Sequence, residues 1–260
     1  MFDKKSDYKA QILRIITDNE LTVFSIDDII SLSGYKYPQI KYALSVLLTD
    51  EQIYRIQAGL FCVRNFQNPY VIANEMRKNS QIAYWSALNL HGLTEQFPNM
   101  IYSQSNSPKS DRTLHNVLYK FVKVKPEKMI GGIQIGYGNE VFRITDVEKT
   151  LLDCFDLPQY SGGYAELIRA FYSAKISSIR LLDYGLKMNN LAILKRMAFL
   201  SELFEMKGFT RFQQEVLKRM NLRYTLIDPL SFNIGEFNAK WHIRLNIPKN
   251  NLLEIIHKIY

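Results

Sequence analysis

The sequence predicts an α+β protein in two parts, and three observations predict it. Residues 1–66 carry the order helix, helix, turn, helix, hairpin. In residues 67–260 strand signals gather between 100 and 144, while helical signals dominate from 147 onward. Strands and helices segregated in this way suit α+β better than a wound parallel sheet. A short polar segment, Asn65–Pro69, reads as the linker between the two parts.

In the first part, Tyr8, Ile12, Ile15 and Ile16 repeat at helical spacing and predict a helix over 7–18. Ser25 with Asp28 marks the start of a second helix. The serine hydroxyl can accept from a first-turn amide while the acid faces the positive helix end. Ile29, Ile30 and Leu32 lead to Gly34, which can take the left-handed stop conformation. Tyr35-Lys36-Tyr37 is then a turn, and Pro38 opens a third helix through Ile40, Ala43, Leu44, Leu47 and Leu48. Gln52–Arg55 and Leu60–Val63 read as strands joined by Gln57-Ala58-Gly59.

That is the order of a winged helix-turn-helix, with 1–66 as a DNA-binding domain and 67–260 as a larger mixed α/β C-terminal domain. The apolar face of the third helix leaves Tyr37, Gln39, Lys41, Tyr42 and Ser45 on its other side. Tyr35 and Lys36 sit in the turn before it, and Arg55 and Gln57 on the wing. Polar groups on the N-terminal half of a recognition helix reach base edges, and Lys, Arg and Tyr hold phosphates. These residues are the expected contacts to double-stranded DNA. A solvated helix face, or a winged helix used for protein contacts, is the alternative.

Helical signals resume at Tyr70–Met76. Ser80 is the expected cap of a helix through Ala83, Ala87, Leu88 and Leu90 that stops at Gly92. Strands are expected at Met100–Ser103, Val117–Val124, Gly132–Tyr137 and Val141–Ile144, the last two turned by Gly138-Asn139. Thr145 and Glu148 form a capping-box pattern for a helix over Val147–Phe155. Ser161-Gly162-Gly163 leads into a helix through Ala165, Leu167, Ile168 and Phe171. Residues 178–220 read as nearly all helical, broken at Asn189-Asn190 and Gly208-Phe209, where Thr210 and Gln213 repeat the capping pattern. Trp241, Ile243, Leu245 and Ile247 alternate with His242, Arg244 and Asn246 as a half-buried strand, and Asn250 caps a final helix.

Charge favours an anionic partner, nucleic acid first, because the chain carries a net +8. The excess is unevenly placed. Residues 1–65 hold eight basic and eight acidic side chains, so residues 66–260 carry all of it. No apolar stretch approaches the ~20 residues of a membrane span, and the charged start Met1–Lys9 has no apolar run behind it. Cys62 and Cys154 are too few for a disulfide framework and suit a reducing compartment. The expected location is the cytoplasm.

Catalytic patterns are few. His91, His115, His242 and His257 are far apart in sequence, and none pairs with a cysteine at zinc spacing. Asp146, Glu148 and Lys149 invite comparison with a nuclease metal site, but Val147 occupies the place that the acid-x-Lys order would need for an acid. Gly162-Gly163 before a helix could hold a phosphate, yet it lacks the Lys-Ser/Thr ending of a P-loop and reads more simply as a tight turn. The expectation is no metal, no cofactor and no enzyme. Two groups of basic residues stand out instead as a possible nucleic-acid surface: Lys109, Arg112, Lys120, Lys123, Lys125 and Lys128, then Lys187, Lys195, Arg196, Lys207, Arg211, Lys218, Arg219 and Arg223.

Several segments together resemble the AbiEi family of type IV antitoxins. They are Ala83-Tyr84-Trp85-Ser86-Ala87-Leu88, His91-Gly92-Leu93-Thr94, the run from Phe142 to Asp153, Gly162-Gly163, Asp228-Pro229, and the run from Trp241 to Asn246. The resemblance covers nearly the whole chain and departs at Lys149, where arginine is expected more often. It implies a winged-helix autoregulator that binds inverted repeats in its own promoter and represses a two-gene operon. It also implies a C-terminal domain that counters a nucleotidyltransferase-like toxin without a stable complex. Other classes remain open at this stage: an ordinary winged-helix regulator with a C-terminal ligand-sensing domain, an enzyme acting on nucleic acid, or an adaptor that binds the toxin directly.

Overall fold

The computed structural model describes residues 4–257, which divide into two compact units. The first runs to Ser80 and takes in Thr113–Val117 and Gln134–Phe142. The second holds Gln81–Arg112, Leu118–Ile133 and the chain from Arg143 onward.

The first unit is built from α1 (Lys4–Asp18), β1 (Val23–Ser25), α2 (Ile26–Ser33), α3 (Tyr37–Thr49), β2 (Ile53–Gln57), β3 (Leu60–Val63) and α4 (Pro69–Met76). Its antiparallel sheet has the order β1-β3-β2, so helices and hairpin form a winged helix. Ile12 and Ile16 of α1, Ile29 of α2, and Ile40, Leu44 and Leu47 of α3 are buried together against Phe24 and Phe61. The start of α2 is the expected capping box. Ser25 Oγ accepts from the Asp28 N–H at 3.2 Å, and the Asp28 carboxylate accepts from the Ser25 N–H at 2.7 Å. Gly34 ends the helix at φ 68°, a conformation that costs glycine little.

Two expectations change here. The hairpin turn is only Ala58-Gly59, because Gln57 belongs to β2. Residues 65–69 are also no linker. Phe66 is buried, Asn68 Oδ1 caps α4 through the N–H groups of Tyr70 and Val71, and α4 packs on β1 and β2. The first unit therefore ends at Ser80 rather than at residue 66. Its later segments join through rings: His115 meets Tyr54 edge-on at 4.8 Å, and Phe142 stacks on Tyr70 at 5.2 Å.

Beyond α4 come β4 (Gln81–Ile82), α5 (Tyr84–Leu90), β5 (Met100–Ser105), β6 (Arg112–Leu114), β7 (Val117–Lys123), β8 (Gly132–Ile135) and β9 (Phe142–Thr145). They form a mixed six-stranded sheet of order β6-β7-β5-β4-β9-β8. The helices follow: α6 (Val147–Asp156), α7 (Tyr164–Ser173), α8 (Ser178–Lys187), α9 (Leu191–Leu203) and α10 (Thr210–Arg219). Then β10 (Thr225–Leu226), β11 (Glu236–Asn238) and β12 (Ile243–Leu245) make a small sheet of order β10-β12-β11, and α11 (Lys249–His257) closes the described chain. The core of this unit gathers Leu151, Leu152 and Phe155 of α6, Leu167, Ile168 and Phe171 of α7, and Met197 and Leu200 of α9 around Trp241.

The caps are where reading and structure part. Ser80 caps no helix, because Gln81-Ile82 is a strand and α5 begins at Tyr84. The cap of α6 is Asp146, whose Oδ1 accepts from the Lys149 N–H at 2.9 Å, while the Thr145 and Thr150 hydroxyls bond each other. Phe209, not Thr210, precedes α10, and Gln213 Nε2 reaches the Ser201 hydroxyl. The final helix starts at Lys249, before Asn250. His242 is left-handed at φ 47°, which confines the last strand to Ile243–Leu245. Among the described residues, no helix is long and apolar enough to cross a membrane.

Candidate nucleic-acid interface

The outer face of α3 follows from its inner one. Ile40, Ala43, Leu44 and Leu47 point into the core, which turns Tyr37, Lys41, Tyr42 and Ser45 outward. Lys36, just before the helix, and Arg55 on β2 are exposed as well. No carboxylate occurs between Lys36 and Thr49. Among the described residues, Lys36 and Lys41 have no ion-pair partner, so their ammonium groups keep their charge for solvent or a phosphate. The Arg55 guanidinium lies 5.7 Å from the centre of the Phe61 ring, which holds the side chain down against the sheet.

The remaining expected contacts are committed elsewhere. Gln39 is half-buried; its Oε1 accepts from the Lys36 N–H at 2.9 Å and its Nε2 donates to the Tyr8 hydroxyl at 2.8 Å. Tyr35 is half-buried with its ring edge-on to Tyr8, 5.5 Å away. Gln57 donates to the Met76 carbonyl at 3.2 Å. The Ser45 hydroxyl donates back to the Tyr42 carbonyl at 2.7 Å, leaving its lone pairs outward. The structure thus gathers Lys36, Tyr37, Lys41, Tyr42 and Ser45 at α3, with Arg55 on the strand beyond it. Tyr35, Gln39 and Gln57 serve the scaffold.

In the second unit the acidic pair has structural work. Asp146 Oδ2 accepts from the Tyr184 hydroxyl at 3.0 Å, which with the cap uses both its oxygens. Glu148 is not part of a capping box. Its Oε1 accepts from the Ser177 N–H at 2.8 Å and its Oε2 meets Arg180 at 3.4 Å, so it ties α6 to the start of α8. Lys149 is wholly buried and paired with Asp153, whose other oxygen accepts from Gln104 at 2.9 Å. Burial pushes the Asp153 carboxyl up to about 6, the Lys149 ammonium only partly opposing it. Gly162, at φ 78°, is pressed against Trp85, where a Cβ would come within 2.6 Å of the indole. That explains the double glycine as a tight turn. Among the described residues, no group of His, Cys, Asp and Glu is arranged to hold a metal ion.

Other residues of the resemblance also turn inward. His91 Nε2 donates to the Thr145 carbonyl at 2.7 Å, the Trp241 indole N–H donates to Glu202 at 2.6 Å, and the Asn246 amide bonds both the N–H and the carbonyl of Asp228. The basic groups read from sequence are largely neutralised or buried. Lys120 pairs with Asp111, Lys128 with Asp156, Lys187 with Asp183, and Lys218 and Arg219 with Glu215. Lys195 and Arg196 are inside the fold.

A winged helix joined to a larger α+β unit is the class of protein that this chain forms. The Rv2827c protein of Mycobacterium tuberculosis, known from a crystal structure, has the same overall fold. At 13% identity the two align over 97% of this chain and 95% of that one, with a TM-score of 0.64. No family model matches the sequence, and no curated protein does.

Proposed function

We propose that the protein is a cytoplasmic, DNA-binding antitoxin of the AbiEi kind, which represses its own operon and counters a nucleotidyltransferase-like toxin by means other than catalysis. The observation that carries the DNA part is the outer face of α3. It presents Lys36, Tyr37, Lys41, Tyr42 and Ser45 without a carboxylate, on a unit whose basic and acidic side chains are equal in number when Lys36 and Lys41 are counted. Lysines and tyrosines so placed can hold the phosphates either side of a major groove, while the serine reaches a base edge. The antitoxin part is supported by the sequence segments that resemble the family.

The test has two arms. Gel shifts with the protein's own promoter should show a complex that Lys41→Ala with Arg55→Ala removes. Growth of cells carrying the downstream toxin gene should be rescued by the protein supplied from an unrelated promoter. Unchanged binding by the double variant rejects the recognition face. A rescue that occurs only when toxin transcription falls reduces the protein to a repressor.

A further inference from the structure

The second unit contains a cleft of about 520 Å³ beside the start of α9, within the ~300–1,000 Å³ of small-molecule sites. One wall is the first turns of α9, capped by Asn190 Oδ1 accepting from the Ala192 N–H at 3.1 Å; the other is the segment from Asn221 to Leu226. α9 is apolar nearly all round, with Ile193, Leu194, Met197, Ala198, Phe199 and Leu200 buried, and a helix of that kind is drawn inside with whatever cations it carries. Lys195 and Arg196 are accordingly 1% and 8% exposed.

Neither cation has a carboxylate within 4 Å among the described residues. Lys195 Nζ donates to the Asn221 carbonyl and side chain and to the Arg223 carbonyl, at 2.9, 2.9 and 2.6 Å. Those bonds use all its protons, so it fixes the far wall and leaves its charge uncompensated. Arg196 spends Nε on the Leu226 carbonyl at 2.8 Å. Its terminal nitrogens have no hydrogen-bond partner among the described residues, and its side chain lines the cleft. Asp228, Asp156 and the Tyr164 hydroxyl act on Arg196 only through space. The Thr225 hydroxyl is also buried without a partner, on the same wall. Arg223 stands exposed at the cleft's edge beside Tyr224. Lys195 is a buried cation with no carboxylate beside it, Arg196 has Asp228 and Asp156 only at a distance, and the Thr225 hydroxyl is buried without a partner; an anion in the cleft would complete all three.

We infer that this cleft binds a nucleotide through its phosphate. The Arg196 fork and the Thr225 hydroxyl would hold the phosphate oxygens, close to the positive end of α9. Arg223 would close over the phosphate, and Tyr224 would offer its ring to the nucleoside. This inference uses no residue of the α3 face and stands or falls apart from DNA binding.

Calorimetric titration of the full chain with AMP, UMP, inorganic phosphate and adenosine tests it. The nucleotides should bind saturably, phosphate at least about tenfold more weakly, and adenosine not at all. Arg223→Glu should weaken nucleotide binding about tenfold or more while leaving the melting temperature unchanged, since the residue is exposed. Arg196→Gln should remove binding; if that variant does not fold, Arg223→Glu decides. A 5′-phosphorylated trinucleotide that binds more tightly than AMP assigns the site to a strand end, and one that binds more weakly assigns it to a free nucleotide. The inference is overturned if no nucleotide binds saturably, if adenosine or free phosphate binds as well as AMP, or if binding survives Arg223→Glu unchanged.

Discussion

At the scale of single residues, the nine expected DNA contacts divide by what their neighbours leave them. Lys41 and Arg55 retain charge on the outside, so Lys41→Ala with Arg55→Ala should flatten the dependence of log affinity on log salt by roughly two units. Titrations at several salt concentrations measure that slope; an unchanged value would show that neither residue meets a phosphate. The Lys149–Asp153 pair makes a different prediction. The Asp153 carboxyl ordinarily titrates at 3.8 and here at about 6. Over that window the folded chain holds a proton that the unfolded chain has released. The contribution of Asp153 is therefore fully present below 3.8 and lost as the pH rises through 6. Thermal melts from about pH 4 to pH 6.5 should show this decline in the wild type and a flatter course in Asp153→Asn. The same variant strands the Lys149 ammonium and should lose about 3 kcal/mol or more, most of it restored by adding Lys149→Met. A single variant as stable as the wild type at neutral pH would contradict the pairing.

At the scale of elements, legibility in the sequence followed the range of the interactions. The α2 capping box and the Gly34 stop were readable because all their partners lie within a few residues. β1 was missed because three residues, Val23–Ser25, become a strand only by pairing with β3, on the far side of two helices. Gln39 looked like a base-reading residue because its bond to Tyr8 spans α1 and α3. Lys195 and Arg196 looked like surface cations, although the unbroken apolar surroundings of α9 were a signal that they would be carried inside. Glu148, which the sequence presents as half of a capping box, is a longer-range case because its partners lie about thirty residues away. As the clasp between α6 and α8, it should tolerate Glu148→Gln, which keeps an acceptor for the Ser177 N–H, with a loss of about 1 kcal/mol, whereas Glu148→Ala should lose roughly 1–3 kcal/mol. Denaturant unfolding of both variants checks the order, and equal losses would dismiss the clasp. On the wing, Gln57→Ala should lower stability by about 1 kcal/mol without altering the salt slope of DNA binding, because that side chain faces α4. A reduced slope would return Gln57 to the interface.

At the scale of the whole molecule, the fold class and the order of the winged helix were visible in residues 1–66, but the boundary was not. It lies after Ser80 because α4 buries its apolar face on β1 and β2. A fragment of residues 81–260 should therefore fold on the core of the second unit and lose operator recognition, with Thr113–Val117 and Gln134–Phe142 left without their partners, whereas 67–260 should also carry α4 without β1 and β2 and aggregate more readily. Circular dichroism and sedimentation of the two fragments provide the comparison. A better-behaved longer fragment would place the division where the sequence first suggested it.

The chain also returns to its first unit twice, at Thr113–Val117 and at Gln134–Phe142. During translation, then, α3 leaves the ribosome well before the residues that finish its own unit. At ~5–20 residues per second, the delay between Ser80 and Phe142 is roughly 3–12 s. The Tyr54 ring lacks His115 for the first part of that interval and the Tyr70 ring lacks Phe142 for all of it, the partners they meet in the finished fold. A nascent chain that already displays α3 is thus still an unfinished one, and truncated products of early termination would expose those rings to proteases and chaperones.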